Sequence, residues 1–159
     1  MEKLRIVLDC MIFLQAVLNG KSVAYKLFEH LETNSFTLLV SQEILDEIID
    51  VLSRPSLRAK YSQITDESVE TFLSRVVKKS VLIKSVSPES KYSRDPKDEK
   101  YINLAVEATA NYVVSRDKDL LDIMSDISIV GKEFRQKTRP LKVIEPVEFL
   151  QILEAQVNS

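Results

Sequence analysis

Six short apolar runs rich in β-branched residues are spaced along this chain, with helical patterns between them. The runs are Leu4–Leu8, Phe36–Val40, Val81–Ile83, Asn111–Ser115, Ile127–Val130 and, as a last strand, Leu141–Ile144. Met11–Leu18 and Ser22–Glu32 read as two helices broken at Asn19-Gly20. Ser41 caps a helix with Ile44, Leu45, Ile48, Val51 and Leu52 on one face, stopping near Arg54-Pro55. Ser56–Ile64 reads as irregular or a short helix, and Thr65 opens the next helix. A helix from Asp95-Pro96 to near Ala110 places Ile102, Ala105, Ala108 and Thr109 at helical spacing. Asp119–Met124 is a short helix, and Pro146 starts another with Val147, Leu150 and Leu153 as its apolar face. Strands separated by helices cannot pair as tight hairpins. They predict an α/β fold: a three-layer sandwich with a mainly parallel central sheet flanked by helices.

In such sheets, sites form outside the carboxyl ends of the strands. The acids fall there. Asp9 follows the first strand, and Asp117 follows the Asn111–Ser115 run, with Asp119 two residues on. Asp98 lies near the start of the helix that precedes that run. Glu47 is one turn into the helix after the second strand. Some of these acids have ordinary structural readings. Asp95 suits an N-cap with Pro96 at N1 and Asp98 at N3, and Asp119 suits a cap of the following helix. Asp9, between two apolar runs, is the hardest to explain that way. Four carboxylates, Asp9, Glu47, Asp98 and Asp117, converging on one edge repel one another, and no lysine or arginine is placed to neutralise them all. A divalent cation would, and hard oxygen ligands select magnesium or manganese. The chemistry implied is phosphodiester hydrolysis.

Other classes are excluded or disfavoured. Only Gly20 and Gly131 are present, so there is no glycine-rich phosphate loop or dinucleotide fingerprint. A single cysteine, Cys10, and a single histidine, His30, exclude a Cys/His zinc site built from this chain alone and any disulfide framework. His30 reads as an ordinary helix residue, and Cys10, lacking a histidine base, as a small packed residue. No apolar run reaches the roughly 18 residues of a membrane span, and Asp9 interrupts the apolar N-terminal region. The expected setting is the cytoplasm, without membrane contact. Net charge is −2, so nucleic-acid binding needs a local basic patch. Arg54, Arg58 and Lys60 form one group, and Lys132, Arg135, Lys137, Arg139 and Lys142 another; ordinary solvated surface accounts for either alone. Phe72, Leu73 and Val76 exceed what one helix face obviously buries, which suggests a two-fold homodimer.

The order of acids resembles the PIN domain family: an aspartate after the first strand, a glutamate in SQEILDEIIDVLSRP, an aspartate opening the helix in RDPKDEKYINLA, and an aspartate in VVSRDKDL. It is most similar to bacterial PIN proteins of toxin–antitoxin systems. The likeness spans about residues 4–150 and implies that residues 1–159 form a single PIN-like domain. It implies Asp9, Glu47, Asp98 and Asp117 as catalytic and metal-binding carboxylates, Asp119 as a further metal ligand, and Ser115 as a supporting hydroxyl. It further implies a magnesium- or manganese-dependent ribonuclease acting on RNA, an antitoxin protein partner and a homodimer. Where the family usually has Thr-Asn after the first aspartate, this chain has Cys10 and Met11. A haloacid dehalogenase-type phosphatase would need an aspartate where Met11 stands. The second reading is a PIN-like module that binds RNA or protein without cleaving.

Overall fold

The computed structural model of the chain describes residues 3–86 and 96–157. Among these, five strands form one sheet: β1 (Arg5–Leu8), β2 (Thr37–Val40), β3 (Ser80–Leu82), β4 (Tyr112–Val114) and β5 (Lys142–Ile144). Their order is β3-β2-β1-β4-β5, and every pairing is parallel. Three residues of β1 and three of β2 are buried in succession, the near-continuous burial expected when both faces of a parallel strand are covered. Register aligns Leu8 at the end of β1 with Val114 at the end of β4.

The strand order decides where a site can form. The chain leaves β1 toward β2 and β3, then returns to lay β4 on the other side of β1. Right-handed crossovers running in opposite directions put helices on both faces, so the sheet is the middle of three layers. The reversal also leaves a crevice beyond the carboxyl ends of β1 and β4, the topological switch point.

The helices are α1 (Cys10–Leu18), α2 (Val23–Glu32), α3 (Gln42–Leu52), α4 (Pro55–Lys60), α5 (Asp66–Lys79), α6 (Glu99–Glu107), α7 (Lys118–Leu121), α8 (Ile129–Lys137) and α9 (Pro146–Val157). Their starts follow local chemistry. Ser22 accepts from the Tyr25 N–H and Ser41 from the Ile44 N–H, each a side chain satisfying an otherwise orphaned donor. Thr65 and Ser68 satisfy each other's backbone N–H groups at the start of α5. In the Ser56–Ile64 stretch, the short helix α4 starts with Pro55 at its first position and ends at Lys60.

Several expectations are corrected. Ile127–Val130 is not a strand. Asp126 accepts from the Ser128 N–H at 2.8 Å, and Ser128 caps α8 by accepting from the Gly131 N–H at 3.0 Å. Ile127 is 86% exposed, and β5 takes the place beside β4. Gly131 is needed there, since a Cβ would lie 2.6 Å from Asp126 Cγ. The third strand begins one residue earlier than expected, at Ser80, and Val147 on α9 is exposed, with Phe149 buried instead. The helix expected to reach Ala110 ends at Glu107, with Ala108 as C-cap. Thr109 has φ 50°, in the left-handed region, and is exposed, so it leaves the helix face and turns the chain into β4. At the other end, Pro96–Asp98 is a 3-10 turn, which makes Asp98 the N-cap residue of α6 rather than N3, and it makes no side-chain capping hydrogen bond. The capping role read for Asp95 lies outside the described residues.

The apolar surplus read on α5 is absorbed within the chain. Val76 is buried, Leu73 packs against the core, and the Phe72 ring meets Phe28 edge-on at 5.2 Å. These residues therefore give no support to a dimer. The apolar faces of α2 and α5 and the sheet share one core with α9, whose Phe149 packs edge-on against Phe36 at 5.1 Å.

Candidate active site

Asp9 and Asp117 reach the switch point because each follows a strand and caps the helix after it. Asp9 is the N-cap of α1, its Oδ1 accepting from the Met11 N–H at 2.8 Å. Asp117 is the N-cap of α7, its Oδ1 accepting from the Asp119 N–H at 2.8 Å. The capping role read for Asp119 thus belongs to Asp117. Ser115 joins the two strand ends. Its fully buried hydroxyl donates to Asp9 Oδ2 and accepts from the Asp117 N–H at 2.9 Å.

The third approach is from α6. Asp98 is buried at its first turn. Carboxylate oxygens of Asp98, Asp117 and Asp119 lie within 4.8 Å of one another. An all-oxygen, anionic donor set of this size fits a hard divalent cation such as magnesium or manganese and does not suit a soft metal. This trio does not include Asp9 or Glu47. Asp9 stands beside it, linked through Ser115, and is close enough for the charge of Asp117 to act on it.

Glu47 is held apart by its own partners. It accepts from the Tyr101 hydroxyl, and its Oε2 is 2.6 Å from Lys100 Nζ. No lysine or arginine is placed in the sequence to neutralise all four acids, and Lys100 neutralises only this one. Lys100 and Tyr101 were missed as site residues. One signal was available, since Tyr101 precedes Ile102 on the apolar face of its helix, and a buried tyrosine hydroxyl needs a polar partner. Of the basic groups, Arg54 pairs with Asp50 at 3.1 Å and Arg58 with Asp66 at 2.5 Å, which removes them as unpaired phosphate contacts.

Burial raises the pKa of Asp9 above the ordinary aspartate range. The Ser115 and backbone hydrogen bonds oppose this, and the nearby Asp117 charge adds to it. Folding therefore disfavours the charged carboxylate. That cost is present in full above the folded-state pKa and fades as pH falls toward the unfolded value near 3.8. Asp9→Asn keeps an acceptor for the Met11 N–H and removes the buried charge. At neutral pH the metal-free variant should melt about 2–4 °C above wild type, and this gain should shrink on acidification. Calorimetric melts at neutral and acidic pH check it; a variant that melts lower at neutral pH would show that the lost Ser115 contact outweighs the charge.

A PIN domain family model matches residues 5–119 of this sequence. The chain belongs to the PIN domain family. PIN domains are in general metal-dependent nucleases, and the acidic trio is compatible with that description. The chain is 28% identical to the Uncharacterized protein MJ1680 of Methanocaldococcus jannaschii over 158 residues, 98% of this chain and 96% of that protein. Its fold is similar to a solved structure of VapBC2 from Rickettsia felis bound to a DNA fragment from their promoter. That match has a TM-score of 0.55 and 15% identity, and covers 89% of this chain and 98% of the matched one. Among the described residues of this PIN protein, no helix is long and apolar enough to cross a membrane.

Proposed function

We propose that this PIN protein is a magnesium- or manganese-dependent endoribonuclease and the toxin of a toxin–antitoxin pair. The observation that carries the reading is the convergence of Asp98, Asp117 and Asp119 oxygens within 4.8 Å, at the sheet edge where an α/β fold places its sites. Family membership supports the nuclease chemistry. The fold likeness to a protein of VapBC2 supports an antitoxin as partner. RNA as substrate, a cytoplasmic setting, a two-fold dimer and a single PIN-like domain over residues 1–159 complete the proposal.

In this reading Asp98, Asp117 and Asp119 would hold the cation. When bound, the ion supplies charge stabilisation at the scissile phosphate and an activated water. Asp9 adds negative charge behind the trio and, through Ser115, fixes the backbone turn that carries Asp117. Glu47 completes the proposed catalytic set from α3. The start of α6 and the β4–α7 turn carry the trio, and the β1–α1 turn carries Asp9 beside it, so regular elements limit the motion of these groups at the reacting centre.

The test is cleavage of single-stranded and structured RNA by purified protein with manganese, with magnesium or with chelator. Cleavage is expected with either ion and is lost with chelator. RNA binding without cleavage under all three conditions would favour the non-catalytic module. Absence of manganese binding at millimolar ion would overturn the proposal.

A further inference from the structure

Glu47 and the three residues around it form a unit that the acidic trio does not use. The Tyr101 hydroxyl accepts from the Cys10 N–H at 3.0 Å and donates to Glu47 Oε1. Lys100 Nζ lies 2.6 Å from Glu47 Oε2 and 5.5 Å from the centre of the Tyr101 ring. The Lys100 side chain is only 12% exposed, so this ion pair is largely withdrawn from solvent. The Cys10 thiol also faces Glu47. Both Glu47 oxygens therefore already accept from donors, and one donor is a cation. A divalent ion ligated there would have to share the carboxylate with an ammonium group of like sign.

We infer that Glu47 serves the site as the anchor of a clamp rather than as a metal ligand, with Lys100, Tyr101 and Cys10 as positioning residues that set Asp98. This rests on the cation-dependent reading above. The clamp ties three elements: Cys10 begins α1, Glu47 lies on α3, and Lys100 and Tyr101 lie on α6. Asp98 is two residues before Lys100 and three before Tyr101. Holding that first turn of α6 therefore fixes the direction from which Asp98 approaches Asp117 and Asp119. Glu47 then contributes through the geometry of the trio and through neutralising Lys100.

A charge-compensated pair of variants separates clamp from ligand. Manganese affinity is measured by calorimetric titration without RNA, alongside metal-free melting to show that each variant folds. Glu47→Gln leaves Lys100 as an uncompensated cation near the site, and manganese binding should weaken about tenfold, the scale typical of lost outer partners. Adding Lys100→Met removes that cation, and the amide oxygen at position 47 still accepts from the Tyr101 hydroxyl, so the arm of the clamp that holds the first turn of α6 survives. The double variant should bind manganese within about threefold of wild type, a coupling that a double-mutant cycle reads directly. If the double variant stays as weak as Glu47→Gln, Glu47 is a ligand and the inference is overturned; an unchanged affinity in Glu47→Gln overturns it as well. Tyr101→Phe keeps the charges and the ring, and should also weaken manganese binding about tenfold. It decides the matter should Glu47→Gln fail to fold, and unaltered binding there would overturn the clamp. Absence of manganese binding by the unaltered protein would instead overturn the cation reading itself and this inference with it.

Discussion

Replacing Asp98 by asparagine is expected to reduce manganese-dependent RNA cleavage at least about a hundredfold while leaving the metal-free fold intact. The magnitude follows from its place. Loss of a residue that merely orients a metal ligand typically costs 10- to 100-fold, and Asp98 is proposed as a ligand itself. Asp98 is the sharpest choice among the trio because it makes no capping hydrogen bond at the start of α6, whereas Asp117 also caps α7. The amide of asparagine has the same shape as the carboxylate. It also removes one of three negative charges whose oxygens lie within 4.8 Å of one another. Metal-free melting should therefore stay within about 4 °C of wild type. Cleavage rates with manganese, read beside melting curves with and without the ion, check this. Wild-type rates in a folded Asp98→Asn variant would remove Asp98 from the site and with it the approach from α6.

Phe149→Ala should cost about 3–5 kcal/mol of stability, the range for truncating a buried aromatic side chain. Phe149 is fully buried on α9. Its ring meets Phe36, just ahead of β2, edge-on at 5.1 Å, and Tyr112, the first residue of β4, at 6.3 Å. One side chain thus ties the last helix to two strands that flank β1 on opposite sides. The cavity left among these rings adds to the lost burial. Denaturant unfolding should show a lowered midpoint with little change in slope. A loss below about 1 kcal/mol would mean that α9 packs against the sheet less closely than the ring contacts indicate. Val147, the residue the sequence pattern favoured for this face, is half exposed, and truncating it should matter little.

The sequence by itself determined the elements and the order in which acids follow them. Alternating strand and helix patterns dictated the parallel sheet. Caps such as Ser22, Ser41 and Thr65 sit where hydroxyls precede helical patterns, because capping is decided by atoms within three residues of one another. Where two local signals competed, the pattern misled. Ile127–Val130 has strand-forming residues, but the Asp126 and Ser128 side chains satisfy nearby backbone donors and start a helix there. Thr109 falls at a helical spacing, yet the chain must turn there so that Asn111 can accept from the Arg5 N–H at 2.8 Å. What only the tertiary structure decided is which charges meet. The strand order sets β4 beside β1, and so brings Ser115 to Asp9 across 106 residues of sequence. It brings Asp98 to Asp117 and Asp119, and turns Glu47 toward Lys100 and Tyr101. Periodicity and capping are carried by neighbours in the chain and can be read in order. The convergence of carboxylates, and the cation that withdraws one of them, depends on strand pairing and helix packing between distant segments, and no local pattern encodes that.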